Sequence, residues 1–180
     1  MIDQRPIVFF DLETQHSFDE VGGRHNLHKL GISVAVTYNT ADKRYKPYTE
    51  ASIGYLIDEL KSADLVVGFN LFDFDYQVLR GYTDEPLQRL PTLDMLREIH
   101  RALGFRVGLG SLAEATLGVG KLADGLQAIR WWREGKIEEL IAYCKQDVEV
   151  TRQLYEFGKQ HKYLQFRDKR YRLQRVAVHW

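Results

Sequence analysis

The 180-residue sequence has a single cysteine, Cys144, which excludes a disulfide within the chain and suits a reducing compartment. It has no apolar run near the roughly 20 residues that a membrane span needs, and its N-terminus lacks a signal-peptide pattern. The expectation is a cytoplasmic protein with no membrane partner. Net charge is also missing, with 25 Lys and Arg against 25 Asp and Glu. No internal repeat, low-complexity tract or long linker interrupts the chain. What remains is an ordinary globular composition, 44% hydrophobic and 28% charged, with enough residues for one domain with a proper core.

The zero net charge hides an asymmetry. Residues 1–90 carry 9 basic and 14 acidic residues, and residues 91–180 carry 16 and 11. The basic excess gathers in residues 159–180, where Lys159, Lys162, Arg167, Lys169, Arg170, Arg172 and Arg175 face only Asp168. A basic end on a neutral chain hints at a polyanionic partner. A solvated basic hairpin without a partner explains the charge equally well.

Strands and helices follow from hydrophobic periodicity. Ile7 to Leu12 predicts a buried strand ending in acidic residues, and Lys29 to Tyr38 a longer one with Arg44 to Thr49 as its hairpin partner. Ile53, Leu56, Ile57 and Leu60 recur at helical spacing within Glu50–Ala63. Asp64 to Phe69 is another buried strand, leading to a helix from about Tyr76. Asp94 to Leu103 predicts an amphipathic helix, and Ser111-Leu-Ala-Glu114 has the spacing of a capping box opening the next. Ile137 to Gly158 is the longest helix, and Tyr163–Phe166 with Tyr171–Val178 predicts a terminal hairpin. Strands early and helices late point to an α/β layered domain over residues 1–159, with a basic hairpin extension over 160–180.

Three acidic motifs stand out from this frame. In Asp11-Leu-Glu13, residues two apart in a strand point to one side, so both carboxylates face the same way. A divalent cation between them would remove their repulsion, and hard oxygen ligands suit Mg²⁺ or Mn²⁺; two solvated acids at a strand end are the alternative. After the strand ending at Phe69, Asn70 can tie down a loop through its amide. Asp75 opens a helix that Leu79, four residues on, can anchor. Asp73 competes with Asp75 as the acid of this motif, and helix capping or solvation is its other role. In Tyr143-Cys-Lys-Gln-Asp147 the phenol and the carboxylate share one helix face. An acid beside an apolar stripe is uncommon unless paired or bound to metal.

Together the three motifs resemble those of the DEDD exonuclease superfamily, in the subclass with a tyrosine in its third motif, which includes proofreading domains of family A and family B DNA polymerases. The likeness covers about residues 5–158. Phe10-Asp11-Leu-Glu13-Thr14 matches the first motif closely, and the step of five from Asn70 to Asp75 is similar to the family B form. A step of four would fall on Phe74, which cannot bind metal. Thr92-Leu-Asp94, Gly118-x-Gly-Lys121 and Trp131-Trp132-x-x-Gly135 resemble the YprB-like, often helicase-associated domains. This resemblance implies a ribonuclease-H-like three-layer fold, a central mixed β-sheet flanked by helices. It implies a 3′–5′ exonuclease acting on DNA or RNA, with a helicase or a polymerase as partner. Asp11, Glu13, Asp75 and Asp147 would hold two Mg²⁺ or Mn²⁺ ions, and Tyr143 would orient the attacking water. Thr14, Asn70, Phe74 and Lys121 would contact substrate, and Asp94 would be an outer ligand or a helix N-terminal acid.

Other features carry less. Gly118-Val-Gly-Lys121 is no Walker loop, because that motif needs Gly at 115 and Ser or Thr at 122, where the chain has Ala115 and Leu122. Trp131 and Trp132 point about 100° apart on a helix, so at least one belongs to the core and base stacking falls to the other at most. His25-x-x-His28 lacks a third ligand for zinc, and Cys144 has the character of a small buried core residue.

Overall fold

The computed structural model describes residues 6–120 and 124–180. Its centre is β1 (Ile7–Thr14), which runs two residues beyond the expected strand, so that both acids lie inside it. β2 (Ile32–Asn39) and β3 (Arg44–Tyr48) continue the sheet antiparallel on one side. On the other side, β4 (Leu65–Gly68) and β5 (Thr92–Asp94) pair parallel, giving the order β3-β2-β1-β4-β5. Three-residue β5 was hidden in the sequence because it is too short to show a period of two.

Alternation along β1 builds two cores. Val8, Phe10 and Leu12 join a cluster with Leu56 and Leu60 of α1 (Ile53–Ser62) and Val78 and Leu79 of α2 (Tyr76–Leu79). Phe9 faces the opposite layer, formed by α3 (Met95–Leu103), α4 (Leu109–Leu117), α5 (Gly125–Arg133) and the 25-residue α6 (Ile137–His161). The result is the expected three-layer α/β arrangement, a mixed sheet flanked by helices. A separate hairpin, β6 (Tyr163–Arg167) with β7 (Leu173–Ala177), ends the chain. Its inward residues Leu164, Phe166 and Val176 join the same cluster as Phe9.

Two local expectations need correction. Ser111 does not cap a helix: α4 begins at Leu109 after Gly108, without a side-chain cap, and Ser111 lies within its first turn. The backbone of Gly108, with φ −74° and ψ 155°, is already extended there, so the helix starts earlier than the serine spacing suggests. Helical structure after β4 also begins before Tyr76, in a π-helical turn over Leu71–Asp75.

β1 outruns its parallel neighbour. The register with β4 covers Ile7 to Phe9 only, so Asp11 to Thr14 extend past the end of β4 while still paired to β2. That offset leaves room beside the two acids for the loop leaving β4.

Packing around α2 gives a direct test. A Cβ on Gly81 would lie 2.2 Å from the backbone oxygen of His28, whereas one on Gly54, within α1, would meet nothing within 4 Å. Gly81→Ala is expected to cost about 2 kcal/mol by forcing backbone apart, and Gly54→Ala to gain about 0.5 kcal/mol by restricting the unfolded chain. Urea unfolding midpoints check both; equal midpoints for the two variants would contradict this packing.

Candidate active site

Asp11 and Glu13 project from β1 on the same side as Phe9, toward α6. Their partners across the strand pair are Val36 and Val34, which supply no charge. On α6, Tyr143, Cys144, Asp147, Val148 and Thr151 share the buried face. One carboxylate oxygen from each of Asp11, Glu13 and Asp147 lies within 4.8 Å of the others. The Cys144 thiol donates toward Asp11, 3.4 Å from its backbone oxygen and 3.7 Å from Oδ2. Tyr143 hydrogen-bonds to Asp147 through its hydroxyl and packs edge-on against Trp131 at 6.0 Å.

Asp75 arrives from below. At the end of β4, a Cβ on Gly68 would sit 2.5 Å from Leu71 Cδ2, so a larger residue there has to displace the buried Leu71 side chain. Asn70 follows in the left-handed region at φ 73°, a conformation asparagine tolerates better than most residues. The buried Asp94 carboxylate holds this loop. Its oxygens accept from the backbone N–H of Asn70 at 2.8 Å, Phe72 at 3.1 Å and Arg97 at 3.3 Å. Asp94 therefore caps α3, as its helix N-terminal position suggested, and also clamps the loop, a role the sequence did not reveal. The π-helical turn then carries Asp75 into the interior, 1% exposed, beside Asp11. Asp73 faces outward instead, paired with Arg97 at 3.3 Å and Arg106 at 3.7 Å.

Four carboxylates are thus crowded together, and all are held above the usual carboxylate range. Burial is the first cause for each. Repulsion from Asp147 adds to it at Asp11, and repulsion from Asp11 adds to it at Glu13 and Asp75. Asp147 is pushed up to about 7, with the Tyr143 hydroxyl pulling it back. Burial and the surrounding acids also raise the Tyr143 phenol, which stays neutral and able to donate. They raise the Cys144 thiol too, so it is no thiolate nucleophile.

At separations within 4.8 Å, each ionised pair among Asp11, Glu13 and Asp147 costs about 3 kcal/mol at an effective dielectric near 20. Asp75 Oδ1 and Asp147 Oδ1 are buried without a hydrogen-bond partner among the described residues. Unsatisfied, anionic, hard oxygen donors are the set that a Mg²⁺- or Mn²⁺-like cation takes. The residues present fit a divalent metal.

Asp11, Glu13 and Asp147 floor a cleft of about 440 Å³, which Asp75 does not line. One wall is Thr14 with the following His16, Ser17 and Phe18; the other is Asp124, Gly125, Leu126 and Ile129 at the start of α5. Thr14 donates its hydroxyl to the His16 carbonyl at 3.0 Å. Phe74 also lines the cleft and stacks edge-on with Phe18 at 6.1 Å. Asn70 does not line it; its side-chain oxygen accepts from Arg106 at 2.7 Å. Lys121 lies outside the described residues. Trp131 and Trp132 are both partly buried against the core. Sequence reasoning missed Phe18 and Leu126, which is 60% exposed. No sequence pattern marks Phe18, and Leu126, two residues after Asp124, shows its exposure only in the fold.

Comparison with known proteins agrees with this geometry. The RNase_H superfamily model (RNase_H_2) matches residues 8–157. No curated protein matches the chain. Among solved structures, the family B DNA polymerase from the hyperthermophilic archaeon Pyrobaculum calidifontis is similar, with a TM-score of 0.64 and 19% sequence identity. The match covers 86% of this chain and 24% of the polymerase, so the chain spans about a quarter of that protein, and at this identity the likeness is one of fold.

Burial of the acids makes stability depend on pH and metal. The Asp147 carboxyl titrates from an ordinary 3.8 up to about 7 in the fold. Between those values the folded chain keeps a proton that the unfolded chain releases. Its stabilising contribution is therefore full below the lower value and lost as pH rises through the upper one. Metal binding needs the deprotonated form, so the rise in melting temperature on adding Mg²⁺ is expected to be small near about pH 5 and larger near about pH 8. Asp11→Asn removes one of the repelling charges. It should raise the metal-free melting temperature at the higher pH by about 2–4 °C, corresponding to about 1 kcal/mol, and abolish the Mg²⁺ effect. An undiminished Mg²⁺ shift in Asp11→Asn would rule out a metal at this cluster.

Proposed function

The chain belongs to the RNase_H superfamily, and from that premise we propose that it is a divalent-metal-dependent 3′–5′ exonuclease. Its substrate would be the 3′ end of DNA or RNA, hydrolysed at the phosphodiester bond by a two-metal mechanism. One observation carries this: Asp11, Glu13 and Asp147 bring carboxylate oxygens within 4.8 Å of one another at the floor of a cleft. Structural ion pairing does not explain such a cluster, because the described residues place no cation among these acids.

Asp11, Glu13 and Asp147 would hold the metal directly, and Asp75 would complete the set from beneath. When bound, divalent cations supply a more acidic water and neutralise charge building on the scissile phosphate. Tyr143, neutral and hydrogen-bonded to Asp147, would orient the water as a donor and not remove its proton. Phe74 and Phe18 offer aromatic faces and edges to the terminal base. Thr14 lies beside Glu13 as a further substrate contact. Asn70, outside the cleft and with its oxygen engaged by Arg106, would act by shaping the loop that carries Asp75. A cleft of about 440 Å³ suits a terminal nucleotide, since ligand pockets run from about 300 to 1,000 Å³. The direction of attack and the tyrosine's role come from the likeness of the three motifs to the tyrosine-containing exonuclease subclass. A polymerase or a helicase is the partner consistent with that likeness.

The assay is degradation of 5′-labelled DNA and RNA of matched sequence, with closed circles alongside. Mg²⁺- or Mn²⁺-dependent shortening from the 3′ end is expected, lost with EDTA and in Asp11→Ala and Asp147→Ala. Tyr143→Phe should slow the reaction by about 10²-fold, the usual scale for losing the group that orients a reacting water. Full activity in both aspartate variants, with contaminating nuclease excluded, would end this proposal, and cleavage of a closed circle would replace the exonuclease with an endonuclease.

A further inference from the structure

We propose that the terminal hairpin and the loop joining α3 to α4 form a docking surface for a single nucleic-acid strand, apart from the acidic cleft. That the strand is nucleic acid rests on the proposed nuclease function; that the surface takes a polyanion rests on its own chemistry.

A groove of about 890 Å³ lies between Arg106 of that loop and Arg167, Lys169, Arg170 and Arg172 around the hairpin turn. Its one acid, Asp168, is committed to folding the turn. Its carboxylate accepts from the backbone N–H of Arg170 at 2.8 Å and of Arg172 at 3.0 Å, and from Arg172 Nε at 2.9 Å. Among the described residues no carboxylate forms an ion pair with Arg167, Lys169 or Arg170, and all three are exposed. Cations without an acidic partner, gathered around one turn where Arg167 Nη1 also donates to the Tyr171 carbonyl at 3.1 Å, make a field that suits a chain of phosphates.

The aromatics narrow the partner. Phe105 is 50% exposed and rests edge-on against Phe166 at 5.9 Å, and Tyr171, at the hairpin turn, is 82% exposed. Exposed rings beside cations are the combination that binds unpaired bases by stacking while the cations follow the backbone. A duplex keeps its base faces covered and could not use them. Arg106 also links this groove to the acidic site. Its Nη2 donates to Asn70 Oδ1 at 2.7 Å, in the loop that carries Asp75. A strand leaving the groove along Arg106 therefore meets the loop that shapes the acidic site.

The test uses the whole chain in EDTA and fluorescence anisotropy with a labelled oligothymidylate of about 20 nucleotides, longer than the usual single-strand footprint. The charge-reversed variant Lys169→Glu with Arg170→Glu should weaken binding about tenfold at low salt. It should also lower the slope of log affinity against log salt by about 1.4, or about 0.7 for each phosphate no longer neutralised. Tyr171→Gly, which suits the positive φ of 58°, should weaken binding about fivefold because the ring no longer stacks on a base. Lys169→Gln with Arg170→Gln, checked for an unchanged melting temperature, guards against misfolding. Metal-dependent cleavage of a dinucleotide, too short to span both places, should be unchanged in all variants.

Variants that bind with wild-type affinity and salt slope overturn the docking surface, even where the wild type cleaves normally. A wild type that binds no strand also overturns it and leaves this face to an acidic protein. A wild type that cleaves nothing but shows hairpin-dependent binding supports the docking surface and removes the exonuclease instead.

Discussion

Four carboxylates share one buried place, and their mutual repulsion is the constraint around which the surrounding structure is arranged. Asp11 and Glu13 sit on a strand paired to β2 along nearly its whole length and backed by apolar residues on its other face. Asp147 sits on the longest helix, flanked along its buried face by Leu140 and Cys144 on one side and Val148, Thr151 and Leu154 on the other. Neither element can move to relieve the charges without breaking a core. A buried like-charge cluster persists only where the surroundings over-determine it, and the central strand and the long helix do so here.

Asp75 depends on a more local device. The chain leaves β4 through a close approach at Gly68, a left-handed Asn70 and a π-helical turn, none of them a low-energy default. The buried carboxylate of Asp94 holds the amides of Asn70 and Phe72 while also capping α3. One side chain thus couples the helix start, the loop and the placement of a second acid two residues inside the turn from Asp73. The offset between β1 and β4 makes this possible, because a fully paired β4 would occupy the space that the loop fills.

Much of this was legible in the residues because the relevant signals are periodic. A period of two put Asp11 and Glu13 on one side, and helical spacing put Tyr143 and Asp147 on one face. The choice between Asp73 and Asp75 was not legible, since both follow the same strand and only the π-helical turn sends one inward and the other out to Arg97 and Arg106. β5 was too short to show a pattern. Ser111, inside the first turn of α4, carried the right spacing for a cap at the wrong helix boundary. The second wall of the cleft was missed because α5 approaches β1 only in the folded chain, more than a hundred residues apart in sequence. The Arg133–Glu20 ion pair, at 2.5 Å, ties the segment after β1 to the last residue of α5.

The same charges that favour a cation disfavour the proposed substrate. A nucleic-acid strand approaching Asp11, Glu13, Asp75 and Asp147 meets repulsion until divalent ions offset it, so the cleft alone cannot draw a polyanion in. Attraction has to come from elsewhere on a chain whose net charge is zero. The sequence separates its charge, acidic in the first half and basic at the end, and the fold carries the unpaired cations to the hairpin rim. Remote binding of this kind can supply affinity while the local ions act on the reacting phosphate. Arg106, hydrogen-bonded to the loop that carries Asp75, is where the two halves of that division meet.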